Sequence, residues 1–323
     1  MSSHRMPARI GTFRQLEILV AVAETGGIAA AAERLHLSQP TVSMQMRKLA
    51  DTIGAPLYDL SGRRLALTHA GELVLEHARE IFDCTDRLEM ALNQLQGMHK
   101  GRLSLGIVSS AEYFAPHLLG PFYRRYPSIE VTLNVGNRAE LTERLRNNLD
   151  DLYIFGFPPQ DLDVDITQLG ENHLVVIAPK THSLATARSL KWQDIANELF
   201  IVREEGAGIR AAVEYHLEKL GYSLRHQLTI ASNEGIKHAV LARMGLAIVP
   251  SLCLDEGDHR ELVQLPVAGF PLLDHWNLVF RRGKTFSVVA ESCRTYLLEE
   301  GRAMYQEATP YWEEHHRPKL PTR

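Results

Sequence analysis

Cysteine is scarce in this 323-residue chain: Cys84, Cys253 and Cys293 are the only three. No two form a C-x-x-C, and an odd number cannot all pair. That argues against a disulfide framework and for a reducing, cytoplasmic setting, with buried structural thiols as the default. An apolar targeting segment is missing too. "MSSHRMPARIG" has no h-region, and the apolar run "LEILVAVA" is broken by Glu17 and too short for a bilayer, so no membrane association is expected. Catalytic signatures are absent: there is no G-x-S-x-G, H-E-x-x-H or P-loop, and no G-x-G-x-x-G after a strand. An enzyme is not expected, nor a cofactor or a metal site. Of the fifteen histidines only His315 and His316 are adjacent, in a tail (306–323) that reads as a solvated end.

What the chain has is ordinary globular composition, 45% apolar and 23% charged, in a length that calls for two or three domains. A net charge of −4 speaks against a nucleic-acid binder as a whole. The charge is uneven, however. Residues 1–70 hold eight Lys or Arg against five Asp or Glu, and the remainder 27 against 34. A basic block on an acidic body fits a nucleic-acid module joined to something else, although a surplus of three is also within random scatter.

The basic block reads as three helices. Thr12 with Gln15 makes a capping box, and Phe13, Leu16, Leu19, Val20 and Ala23 fall on one face. Thr25-Gly26-Gly27 ends that helix. An Ala-rich helix follows over 28–36. Ser38 then caps a third helix running to about Asp51, with Pro40 in its first turn. Val42, Met46 and Leu49 form its apolar stripe, and Gln39, Thr41, Ser43, Gln45 and Arg47 point elsewhere. Two helices joined by a tight turn, the second opening in hydroxyl and amide groups, make a helix-turn-helix pattern whose Gln and Ser can bond base edges. Pro40 can pack on a thymine methyl, and Ser38 with the helix start can hold a phosphate. "PLYDL" and "RLALT" are strand-like runs joined through Ser61-Gly62-Arg63-Arg64, a hairpin whose Arg63 and Arg64 would lie along the DNA backbone.

From Thr68 to about Gly97 runs a long helix with Val74, Ala78, Ile81, Thr85, Leu88, Leu92 and Leu95 spaced 4,3,4,3,4,3. Apart from Thr85 that is an apolar heptad seam, read as a dimerising face. Beyond Gly101 strands and helices alternate. Strands are expected over 102–110, 128–136, 151–157, 173–179, 199–204, 224–232 and 246–250. Helices are expected over 112–126, 138–148, 208–220 and 233–244. This rhythm implies a parallel sheet with helices on its faces, in two tandem lobes enclosing a cleft. Polar groups just after strands are the candidate ligand contacts: Ser109 and Ser110, Asn137 and Arg138, Arg203 with Gly206-Ala207-Gly208, and Asn233 with Glu234. Each alone reads as helix capping. The coincidence of all four points to a pocket for an anion.

"AAERLHLSQPTVSMQMRKLA" and "PLYDLSGRRLALTHAG" together resemble the winged helix-turn-helix of LysR-type transcriptional regulators. "VSSAEYFAPHLLGPFYRRYPSIEV", "GNRAEL", "FGFPPQDLDV" and "SNEGIKHAVLARMGLAIVP" resemble the branch that regulates carbon-fixation (Calvin cycle, RuBisCO) operons. The resemblance implies an α/β protein. It would have a DNA-binding domain over 1–67, a dimerising linker helix over 68–98, and a two-lobed periplasmic-binding-protein-like effector domain over 99–305. Lobe I would take 99–170 and 276–305, and lobe II 171–275. It also implies promoter DNA, a second copy of the chain (dimer and tetramer) and RNA polymerase as partners, with a phosphorylated or nucleotide metabolite as effector. There are departures: the family often has Arg where Met44 and Leu60 stand, and usually Glu where Ala50 stands. "REEGAGIR" resembles a pattern close to R-E-P-G-S-G-T-R, with Glu205, Ala207 and Ile209 in place of Pro, Ser and Thr. That exchange is poor for a phosphate and leaves the effector open. The competing reading is a small-molecule binding protein or enzyme on the α/β body, with the N-terminal block used for assembly.

Overall fold

The computed structural model describes residues 10–59, 66–95, 100–254 and 257–305. The chain divides into two compact units, Met1–Glu89 and Met90–Arg323, each with its own buried core.

In the N-terminal unit, α1 (Phe13–Thr25) starts at a reciprocal cap: the Gln15 amide donates to Thr12 Oγ1, and the Thr12 amide donates to Gln15 Oε1. It ends at Gly26. After α2 (Ile28–Arg34), α3 (Gln39–Ile53) begins on the Ser38 hydroxyl with Pro40 in its first turn. Val42, Met46 and Leu49 are wholly buried against Leu16, Leu19, Val22, Ala31 and Ala32. The small Ala pair lets α2 lie close to its neighbours. β1 (Tyr58–Asp59) and β2 (Ala66–Leu67) form an antiparallel hairpin with Tyr58 opposite Leu67. Its tip, including Leu60, Arg63 and Arg64, lies outside the described residues.

Thr68 caps α4 (His69–Leu95), accepting from the Gly71 amide while its hydroxyl donates to the Pro56 carbonyl. A Cβ on Gly71 would fall 1.9 Å from the Leu57 carbonyl oxygen, so only glycine lets the helix pass under the hairpin. The expected heptad seam does not act as one face. Ala78 is buried in the core of this unit, and Val74 and Ile81 pack against that core. Ala78 is thus committed inside the monomer, whereas Val74 and Ile81 are partly buried there. Leu88 and Leu92 remain 60% and 51% exposed. The Leu95 side chain lies outside those described.

The C-terminal unit opens with β3 (Gly101–Val108). The helix expected over 112–126 starts only at Ala115, as α5 (Ala115–Arg125), after a single 3-10 turn at Ser109–Ala111. Pro116 sits in the first turn, where a missing N–H costs no helical bond, while a second proline, Pro121, is accommodated inside the same helix. There follow β4 (Ile129–Gly136), α6 (Arg138–Arg146), β5 (Leu152–Phe155), β6 (Val164–Pro179) and α7 (Trp192–Ile195). Then come β7 (Leu199–Val202), α8 (Gly208–Lys219), β8 (His226–Thr229), α9 (Asn233–Leu241) and β9 (Leu246–Pro250). The unit closes with α10 (Asp258–Glu261), β10 (Leu262–Gln264), β11 (Leu272–Arg281) and α11 (Val288–Tyr296).

The sheet order is β4-β3-β5-β11-β6-β9-β7-β8, with β10 paired to β6. It is not the purely parallel sheet that the alternation implied. β3 runs parallel to β4 and β5, and β7 parallel to β8 and β9. β6 and β11, however, run antiparallel to each other along ten pairs and join the two parallel halves. One core lies around β3–β5, the other on both faces of β7 and β9. The ladder slips between Trp276 and Asn277, opposite Gly170 and Gln168, at the boundary where one lobe is expected to give way to the other. Burial pushes the Cys293 thiol up to about 12, and Cys253 is likewise buried, whereas Cys84 on α4 is exposed rather than structural. Among the described residues no single helix is long and apolar enough to cross a membrane.

Candidate effector site and DNA-reading helix

α3 presents two opposite faces. With Val42, Met46 and Leu49 fixed inward, Gln39, Pro40, Met44, Arg47 and Lys48 are exposed and Ser43 is half-buried. Three candidates have local duties. Ser38 Oγ accepts the Thr41 amide and bonds the Thr41 hydroxyl at 2.8 Å, so both serve the cap. Gln45 Oε1 accepts from the Nε2 of buried Gln15 at 3.1 Å, which draws it toward α1 and away from a groove. Among the described residues, the exposed or half-buried ones of α3 left without such a bond in this stretch are Gln39, Pro40, Ser43, Met44, Arg47 and Lys48. Lys48 escapes the sequence pattern because it follows Arg47 next to a buried Leu49.

In the C-terminal unit the four candidate segments meet at one junction between the lobes. Arg203, at the carboxyl end of β7, is only 5% exposed. Its guanidinium clasps its neighbour Glu204 bidentately, Nε to Oε2 at 2.8 Å and Nη2 to Oε1 at 3.0 Å. Nη1 donates to Asn233 Oδ1 at 2.6 Å and across the junction to Ser109 Oγ at 3.1 Å. Burial pushes the Glu204 carboxyl up, but the Arg203 hydrogen bonds, a backbone hydrogen bond, the Arg203 charge and Asn137 together hold the group below its ordinary range. Glu204 is also 3.5 Å from Asn137 Nδ2, a long contact. Asn137 is the cap of α6 in the other lobe. Beside it the Ala139 amide donates to the Gly206 carbonyl at 3.1 Å. Gly206 sits at φ +87, where a side chain would be strained and its Cβ would press on Ala139. Ala207 caps α8, and Gly208 packs near the Arg138 side chain.

Ser110 is buried behind Ser109. Arg138 is turned to the chain after β5, donating to the Phe157 and Pro158 carbonyls at 2.7 and 3.2 Å. Glu234 belongs to a second interlobe contact that the sequence did not reveal. Tyr113 Oη donates to Glu234 Oε1 at 2.6 Å. Lys237, itself buried, bonds both Glu234 and Asp258. Burial first, then repulsion from Glu234, raises the Glu112 carboxyl beside this group. Partners 121 residues apart leave no local signal.

One donor stands out. Asn233 is 4% exposed, and its Nδ2 has no hydrogen-bond partner among the described residues. A buried donor left unmade costs about 1–3 kcal/mol, so the junction is short of an acceptor at that point. A pocket of about 320 Å³, including its open mouth, lies between β7 and α8; it shares Arg203 with the junction, and neither Ser109, Asn137 nor Asn233 lines it. It is lined by Phe200, Val202, Ile209, Val213 and Ile248, with Arg203, and with Arg210 paired to Glu214 at 2.9 Å.

Residues 13–72 match the family model described as bacterial regulatory helix-turn-helix protein, lysR family, and residues 96–302 match the LysR substrate binding domain. Over 295 residues the chain is 42% identical to the HTH-type transcriptional activator CmpR of Synechocystis, covering 91% of this chain and 97% of that protein. It is 39% identical over 295 residues to a RuBisCO operon transcriptional regulator of Allochromatium vinosum, covering 91% and 98%. Among solved structures, the regulatory domain of Synechocystis CcmR in complex with 2-PG is 37% identical. It covers 62% of this chain and 96% of that one, with a TM-score of 0.59. Both halves of the sequence, and nearly the full length of these relatives, are accounted for: the chain belongs to the LysR family of transcriptional regulators.

Proposed function

We propose that this regulator reads promoter DNA with the outward face of α3 and is switched by a small anion bound at the lobe junction around Arg203. The observation that carries the reading is Arg203 itself: buried, hydrogen-bonded to both lobes, and next to an Asn233 donor that lacks an acceptor. A buried guanidinium needs negative charge around it, and Glu204 provides it. An entering carboxylate or phosphate takes over the fork of Arg203 and satisfies Asn233 Nδ2. It then biases the lobes by its differential affinity for their two arrangements. The CcmR regulatory domain, in complex with 2-PG, offers an example of an anion held by a relative.

Glu204 is the internal competitor in this scheme. Glu204→Gln removes the competing charge while keeping the shape, and should tighten 2-PG or inorganic phosphate binding by about tenfold in calorimetry, equivalent to about 1.4 kcal/mol. Weaker binding in the variant would show that Glu204 belongs to the ligand's binding set instead. No binding of any anion by either protein would remove the junction as the effector site.

Self-association belongs to the same reading. Leu88 and Leu92 lie one turn apart on α4 and are more than half exposed, so a second copy's α4 is the natural cover. Leu88→Arg should shift light-scattering mass to that of one chain. An unchanged mass would move the dimer contact elsewhere.

A further inference from the structure

Met44 contributes nothing to the core of the N-terminal unit. It is 46% exposed, on a helix whose other exposed side chains in this stretch are Gln39, Pro40, Arg47 and Lys48. The neighbouring methionine, Met46, is wholly buried, so the register of α3 is fixed and Met44 cannot rotate inward without expelling it. Pro40, Met44 and Arg47 follow at 4,3 spacing and therefore form one outward stripe: an apolar ring, a thioether, a guanidinium.

A large apolar side chain on a surface that meets DNA gains only if it finds an apolar patch there. The floor of the major groove holds one such patch, the C5-methyl of thymine. We propose that Met44 is a specificity-determining residue that packs on a thymine methyl, with Arg47 one turn further along α3 contacting backbone or guanine. Met is suited to the role: it is unbranched and polarizable and keeps three rotatable bonds, so it can follow a methyl whose depth varies with local groove geometry. An arginine at this position, which can bond guanine O6 and N7, would read a different base. The proposal rests on α3 entering the major groove.

The test uses the full-length protein and DNA that it selects from a random-sequence pool. Each thymine of the selected site is replaced by uracil in turn, which deletes one methyl and leaves pairing unchanged. At one position per half-site the wild type should lose about fourfold in affinity, equivalent to about 0.8 kcal/mol for one buried methyl-sized group. Met44→Ala should bind the thymine and uracil sites equally. Met44→Arg, selected on a fresh pool, should favour guanine there. Because Met44 is exposed, both variants should melt with the wild type. A wild type indifferent to every uracil substitution overturns the proposal. So does a uracil penalty of full size in Met44→Ala, which would assign the methyl to another side chain such as Pro40. If the wild type selects no sequence at all, it is the DNA-reading assignment of α3 that fails.

Discussion

Arg203→Met abolishes the response to anions and loosens the C-terminal unit. The wild-type guanidinium makes four hydrogen bonds, two of them to a carboxylate, from a position 5% exposed. Methionine fills most of the volume and none of the donors. The charge left behind on Glu204 retains a side chain about a fifth exposed. The destabilisation therefore falls below the range for a fully buried pair, at about 2–3 kcal/mol. Anion affinity should fall more than a hundredfold, because the bidentate partner itself is gone. Denaturant melts and calorimetry with 2-PG read the two effects separately. Adding Glu204→Gln to Arg203→Met should restore part of the stability, since the uncompensated carboxylate goes with it, but none of the binding. Normal 2-PG affinity in Arg203→Met would end the case for this junction.

The second large effect belongs to α3. Gln39→Ala combined with Ser43→Ala should weaken binding to a selected DNA site by about 1–3 kcal/mol for each base edge that is no longer hydrogen-bonded. Binding to unrelated DNA, carried by phosphate contacts, should barely change. Gln39 is exposed and Ser43 half-buried, and neither caps the helix, so the fold should survive. Ser38 is a worse choice: its hydroxyl caps α3, and removing it costs about 1 kcal/mol of helix stability whatever the DNA does. Equal affinity of wild type and double variant for the selected site, in a gel-shift titration at fixed salt, would take base reading away from these residues.

The head was legible because its signals are local. Caps at Thr12 and Ser38, the left-handed glycine at Gly26, and a 4,3 stripe on α3 each lie within a few residues of what they determine. The seam on α4 misleads for a physical reason. Heptad spacing says that a face is apolar, not what covers it, and the same spacing serves the head's own core at Ala78 and open surface at Leu88. The crossing strands β6 and β11 are harder still. β6 begins "VDITQLGEN", in which five of nine residues are polar, and β11 interleaves Asp274, His275 and Asn277 with its apolar residues, so neither stands out against the short apolar strands. At the lobe junction the residue types after each strand were readable, and so was their shared place at strand ends. That Glu204 folds back onto Arg203, and that Tyr113 reaches Glu234, depends on tertiary placement. That Gln45 is held by Gln15 depends on packing between α1 and α3.

The pairing of Gly170 with Trp276 has a genetic consequence. The chain leaves the first lobe and returns to it at one point of a single ladder, so everything between is, topologically, a contiguous insertion with adjacent ends. Such a segment can be exchanged between relatives by two recombination joints without rerouting the polypeptide. The parts of the proposed effector site on either side of the junction are then inherited separately: Ser109, Asn137 and Tyr113 with the host, Arg203, Glu204 and Asn233 with the insert. A new ligand preference can arise by pairing an old host with a new insert, while the DNA-reading helix is left untouched.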